Sequence, residues 1–147
     1  MLSIILISCV LVAVTVVIHV AGITVLLIAL RRWHAFSLAK HFWQIALLLL
    51  IIAGGEIFFH LMEIAVWGLF YLRWGHMPDA ESAFYFAGTT YTTIGFGDLV
   101  LAKPWRILAP IEGLTGILMC GLSASFFFAA VHYVYHVRDK PGEGQGS

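Results

Sequence analysis

Six consecutive residues, Thr93-Ile94-Gly95-Phe96-Gly97-Asp98, carry the sharpest chemical signal in this chain. Main-chain carbonyls can replace the water around a monovalent cation when successive rings of them face one axis. Aiming consecutive carbonyls one way requires alternate residues to enter backbone regions that glycine reaches at little cost. Gly95 and Gly97 have that spacing. The carbonyls of Thr93, Ile94, Gly95 and Phe96 would supply rings suited to K+, with the Thr93 hydroxyl closing the innermost site. Thr93 to Gly97 are therefore the candidate ion-binding residues, and Asp98 follows at the mouth, where a carboxylate concentrates cations.

A second set, Glu56, His60 and Glu63, has the spacing i, i+4, i+7 and shares one face of a helix. Ionisable groups in an apolar segment are costly and point to function by default. These three could pair with one another, sense protons or bind a metal. The plainer reading, a hydrogen-bond network between helices, is favoured because nothing in the sequence fixes where this face points. Glu112 is a possible fourth member and could brace the glycine-rich segment from behind. His132 and His136 share another face, able to sense pH or simply to decorate an interface. Cys9 and Cys120 both lie inside apolar runs, which suits buried small residues better than a disulfide or a metal pair.

The elements that must position these residues follow from composition. Of 147 residues 61% are hydrophobic and 11% charged, and the mean hydropathy is +0.96. A water-soluble chain of this length needs far more charge. Residues 1–30, 82–97 and 113–137 contain no Asp, Glu, Lys or Arg. Apolar runs of about eighteen residues or more read as membrane spans. Three such segments emerge: Leu2 to Leu30, Phe42 to Leu72, and one from Pro104-Trp105 to Val137. The first is too long for a signal peptide, and its basic residues, Arg31 and Arg32, follow the apolar run instead of preceding it.

Between the second and third spans the chain is too short for two more. Asp79 is a suitable N-cap for a short helix through Ala83 to Tyr91, after which the glycine-rich segment cannot continue it. A short helix followed by extended chain between two spans is a re-entrant loop, tolerated at membrane depth only against protein or a wet cavity. Pro104 suits the first turn of the third span, and Pro110 could kink it. The carboxyl end of the short helix, near Tyr91-Thr92, would direct its negative dipole at a cation. Arg31, Arg32, Lys40, Arg138 and Lys140 lie on one side, against Arg73, Lys103 and Arg106 on the other. The larger group marks the cytoplasmic side, placing the N-terminus outside, the C-terminus inside and the loop mouth outside. The expected organisation is an N-terminal span and loop over 1–40, a pore unit over 41–137 and a tail over 138–147. No basic stripe suggests nucleic acid, and no arginine array in the first span suggests a voltage sensor.

Thr93-Ile94-Gly95-Phe96-Gly97-Asp98 resembles the potassium-channel signature Thr-Val-Gly-Tyr-Gly-Asp, and Thr89-Thr90-Tyr91-Thr92 resembles the family's pore-helix end. The resemblance covers about Gly54 to Val137 and is nearest to short prokaryotic channels, here with one additional N-terminal span. It implies an all-α integral membrane fold of three transmembrane helices, a pore helix and a selectivity-filter loop, in the cell (inner) membrane. It implies a homotetramer, because one chain carries one loop and a closed ring needs four. Tyr85 is then the donor to Asp98, with Thr89 and Thr92 supporting the filter. Gly116 falls at the family's gating hinge, with Gly113 and Gly121 as further flexible positions; close helix packing is the competing account of all three. K+ is the permeant ion, and neither an enzyme activity nor a cofactor is implied. Phe96 for Tyr removes a hydroxyl behind the filter but leaves the carbonyl. The rival readings are a non-selective monovalent cation channel and, from another class, a membrane cytochrome or metal-binding protein built on the seven histidines. A Soret band in purified protein would mark the cytochrome.

Overall fold

The computed structural model describes the backbone of residues 2–36 and 42–138, and the side chains of 2–32 and 43–134. Among these, every regular element is helical. Helix α1 spans Leu2–Phe36, α2 Phe42–Arg73, α3 Ala80–Tyr91 and α4 Leu108–Arg138, with a single 3-10 turn at Trp105–Ile107 leading into α4. Lys40, Lys140 and the tail from residue 139 lie outside the described residues, as do the side chains of His136 and Arg138.

Three helices are long and apolar enough to cross a membrane: Leu2–Arg32, Trp43–Arg73 and Trp105–Val134. Large apolar side chains such as Leu6, Val10, Leu50, Ile57, Leu61, Leu118 and Phe128 face outward. In water such a surface would be ruinous; against lipid tails it costs nothing.

The inward faces divide into two apolar layers. One gathers Ile4 and Leu11 of α1, Trp67, Phe70 and Tyr71 of α2, Ala83 and Phe86 of α3 and Leu108 of α4. The other gathers Leu30, Ile45, Leu48, Ile52, Ala130 and Val134. The start of α1 therefore meets the end of α2 and the start of α4, so α1 runs antiparallel to α2 and parallel to α4. Close approach between α1 and α2 rests on small residues. A Cβ on Gly22 would lie 2.6 Å from the Phe59 ring, and one on Gly55 would lie 2.6 Å from Leu26. Helix α3 lies against both α2 and α4.

Two sequence expectations are corrected. Pro110 is the third residue of α4 and sits in its first turn, where a missing N–H removes no bond within the α-helix, so it takes the initiating role expected of Pro104. Cys9 and Cys120 are exposed and unpaired, because in an apolar segment an outward position suits a small apolar side chain as well as a buried one does.

Candidate functional site

The glycine-rich segment is held by the helix before it. Asp79 caps α3 in extended conformation, its carboxylate accepting from the Ser82 N–H at 2.8 Å and the Ser82 hydroxyl at 3.2 Å. At the other end the chain turns out of the helix while remaining tied to it. The Thr93 N–H donates to the Thr90 carbonyl at 2.9 Å and the Gly95 N–H to the Thr89 carbonyl at 3.0 Å. The Thr92 hydroxyl donates to the Gly88 carbonyl at 2.7 Å, and the Thr89 hydroxyl contacts the carbonyls of Tyr85 and Phe86.

Beyond that point the backbone alternates in hand. Thr93, Gly95 and Gly97 have φ of 62°, 52° and 80°, the left-handed region that costs glycine little and other residues about 1–2 kcal/mol. Two of these positions are legible as glycines. Thr93 is not, since nothing in a threonine announces positive φ. Farther out, the Tyr85 hydroxyl donates to Asp98 at 2.9 Å, the pairing implied by the resemblance, and its ring lies parallel to Phe96 with centroids 6.5 Å apart. That bond to Asp98 holds the Tyr85 phenol above its ordinary pKa.

Helix α4 runs directly behind this loop. A Cβ on Gly116 would come within 2.0 Å of the Tyr91 carbonyl oxygen, and one on Gly113 within 3.3 Å of the Thr90 carbonyl. Gly116 is thus the point where two backbones meet. Gly121, by contrast, faces open space.

The Glu56, His60 and Glu63 face points inward, into the layer between the two apolar clusters. Glu63 is fully buried and takes hydrogen bonds from the Tyr91 hydroxyl and from His19 Nδ1, the latter at 2.8 Å. His60 Nδ1 lies 2.9 Å from the Tyr91 hydroxyl and His60 Nε2 lies 3.0 Å from the Ser123 hydroxyl. Ser123 in turn donates to Glu56. All four helices therefore contribute to one cluster. Glu112 does not join it: its carboxylate takes the Tyr71 hydroxyl at 2.7 Å, and its other oxygen is buried without a partner. The physical reason is position, since Glu112 lies three turns before Ser123 on α4, level with the apolar layer that holds Tyr71 and Leu108.

His19, Ser123 and the Tyr91 hydroxyl were not singled out by sequence. A signal existed for the first. On α1 the buried positions are 4, 8, 11, 15, 19, 22, 26 and 30, and this stripe holds Ser8, Thr15, His19 and Gly22. Thr15 receives the Trp67 indole N–H at 3.1 Å.

Three apolar helices of membrane-spanning length, carrying a capped short helix and a glycine-rich loop between the last two, define a multi-pass membrane protein. Residues 46–133 match the family described as "Ion channel", and the chain belongs to that family. No curated protein and no solved structure gives a significant match. The matched region takes in most of α2, all of α3 and the loop, and most of α4, and it leaves α1 with its His19 outside.

Proposed function

We propose that this chain is the subunit of a potassium-selective channel in which Thr93 to Gly97 form the selectivity filter. The observation that carries the reading is the alternation of backbone hand at Thr93, Gly95 and Gly97. Alternation turns successive carbonyls of Thr93, Ile94, Gly95 and Phe96 toward a common side, as a stack of dehydrating rings requires. The α3 carboxyl end points its partial negative charge at the base of the stack.

Four copies close around the axis. In a single chain Ile94 is 58% and Phe96 68% exposed, and a groove of about 540 Å³ runs between loop and α4, lined by Thr93, Phe96, Val100, Gly113 and Ile117 among others. Neighbouring subunits of a homotetramer would fill that groove and cover those side chains. The mouth at Asp98 and the N-terminus face outward from the cell membrane, and the end of α4 faces the cytoplasm. Lys103 and Arg106 would then flank the mouth and Arg31 and Arg32 the inner surface.

The deciding experiment is efflux from liposomes loaded with K+ or with Na+. Efflux of K+ well above Na+ is the expected result. Equal efflux of both would replace this reading with a non-selective cation channel, and no efflux of either would overturn the conducting role of the loop.

A further inference from the structure

The cluster joining the four helices has a proton inventory that does not close with ordinary charges. Consider ionised Glu56 and Glu63 with neutral His19 and His60, which with Tyr91 and Ser123 bring four donor protons. Six contacts need one: His19 Nδ1 to Glu63, Tyr91 to Glu63, His60 Nδ1 to Tyr91, His60 Nε2 to Ser123, His19 Nε2 to Ser123 at 3.5 Å, and Ser123 to Glu56. Tyr91 spends its proton on Glu63, so His60 spends its own on Tyr91. Ser123 then cannot donate to His60, His19 and Glu56 at once. The contacts around Ser123 are therefore short of donors, since one hydroxyl proton serves Glu56 while both His60 Nε2 and His19 Nε2 also approach it.

If protons alone fill these contacts, both carboxylates are balanced only by charge placed on their histidine neighbours. Among the described residues the only cations paired with these glutamates are the histidines themselves. Glu56 is 6% exposed, and its second oxygen is buried with no partner. Two buried carboxylates in a membrane interior need such compensation, because unbalanced charge there is expensive. One divalent cation would neutralise both carboxylates.

The donors for such an ion are in place. One ligand atom each from His19, His60 and Glu63 lies within 4.8 Å of the others, and the imidazole centroids are 5.3 Å apart. His19 Nδ1 is 2.8 Å and His60 Nδ1 3.6 Å from the Glu63 oxygens, close to the separations that ligands at about 2.0–2.2 Å from a shared metal adopt. Two imidazoles and a carboxylate suit zinc and its transition-metal neighbours, whereas calcium and magnesium prefer oxygen alone. Glu56, held through Ser123 next to both imidazoles, supplies the outer carboxylate that tunes and orients metal-bound histidines. Tyr91 and Ser123, with Cys120 and Glu112 of α4 as more distant titratable neighbours, complete the surroundings.

We propose that His19, His60 and Glu63 form a buried site for a divalent transition-metal ion of the zinc class, linking α1 to α2 directly behind the residue that ends α3. The ion takes the place of protons, so its binding releases them and strengthens as pH rises. The site stands on ligand geometry and charge, independently of how the loop treats K+.

The test is titration of the purified full-length chain with Co2+, read by its visible d–d absorption, alongside His19→Gln and His60→Gln. Glutamine keeps a hydrogen-bonding side chain, and helical circular dichroism checks each fold. One Co2+ per chain is expected, displaced by Zn2+, with affinity about tenfold or more weaker in each variant. Zn2+ should also raise the thermal midpoint of the wild type and leave those of the variants unmoved. No Co2+ absorption in the wild type overturns the site, as does equal binding by wild type and both variants, which would place the ion on other histidines. Liposome efflux is read separately: its failure would count against the filter and not against the metal site.

Discussion

Replacing Gly116 with alanine tests which of two roles that glycine has. The added Cβ would lie 2.0 Å from the Tyr91 carbonyl oxygen, where ordinary contact begins at 3.4 Å, a shortfall of about 1.4 Å. The opposing atom is backbone at the end of α3, so it cannot swing aside as a side chain would. Either α4 retreats or the end of α3 moves, and the base of the glycine-rich loop moves with it, because Thr93 and Gly95 are hydrogen-bonded to Thr90 and Thr89. Overpacking costs about 1–3 kcal/mol, and backbone opposition places this case near the upper end. Alanine recovers about 1 kcal/mol of helix propensity over glycine. The expected net loss is about 1–2 kcal/mol per chain.

Gly121→Ala is the matched control, since a Cβ there meets nothing within 4 Å of the same chain; it should be neutral or stabilising. Thermal unfolding of the purified protein, followed by circular dichroism, gives the comparison, and K+ efflux from liposomes gives the functional reading. Close packing predicts that Gly116→Ala loses both stability and efflux. A flexible hinge predicts unchanged stability with altered efflux. Gly116→Ala as stable as the wild type would refute the packing argument outright.

Three further substitutions probe separate parts of the molecule. Gly95→Ala has free space around its Cβ but a φ of 52°, so its cost is conformational, about 1–2 kcal/mol. Membrane insertion should persist while K+ efflux is lost, and selective efflux at the wild-type rate would contradict the carbonyl-ring reading. Tyr91→Phe removes the hydroxyl between Glu63 and His60, leaving buried groups short of a partner at a cost of about 1–3 kcal/mol; an unchanged thermal midpoint would count against the cluster as a structural tie. His76, in the loop after α2, packs 4.4 Å from the Trp105 ring with burial lowering its pKa below 6.5. The unfolded chain therefore binds the proton more readily, so stability is full above pH 6.5 and falls as pH drops through the folded value. His76→Phe should flatten that acid limb, and a midpoint with the same pH dependence in both proteins would assign it elsewhere.

How much of this was legible in sequence depended on which physical signal each feature carries. Span number follows from hydropathy alone, although α1 runs on to Phe36 past its apolar run and α4 begins only at Leu108; the ends of α2 at Phe42 and Arg73 and of α3 at Ala80 and Tyr91 follow from charge and the Asp79 cap. Gly95 and Gly97 announce the loop because glycine is the residue that positive φ selects. Rotation about a helix axis is a different matter. In water the inward face is the apolar one, but here lipid and protein faces are equally apolar, so hydropathy cannot tell them apart. That is why Glu56, His60 and Glu63 could be grouped on one face and not aimed, and why Glu112 was grouped with them although it bonds Tyr71 instead.

Helix α1 shows what replaces hydropathy as the guide. Its buried stripe holds Ser8, Thr15, His19 and Gly22, spaced seven, four and three apart, while Leu6, Val10 and Val17 face out. Small and polar residues mark the protein-facing side because lipid offers them neither hydrogen bonds nor a reason to be small. Ser8 and Thr15 satisfy themselves on carbonyls of their own helix, which any helix permits. His19 cannot do so, and an imidazole inside a span needs a partner from elsewhere. Glu63 is that partner, 44 positions away. The helix that lies outside the family match thus makes the hydrogen bond that fixes the carboxylate holding Tyr91, and Tyr91 ends the helix from which the loop springs. The extra span is bound into the base of the ion-channel loop, and removing it would leave Glu63 buried beside the loop without its α1 partner.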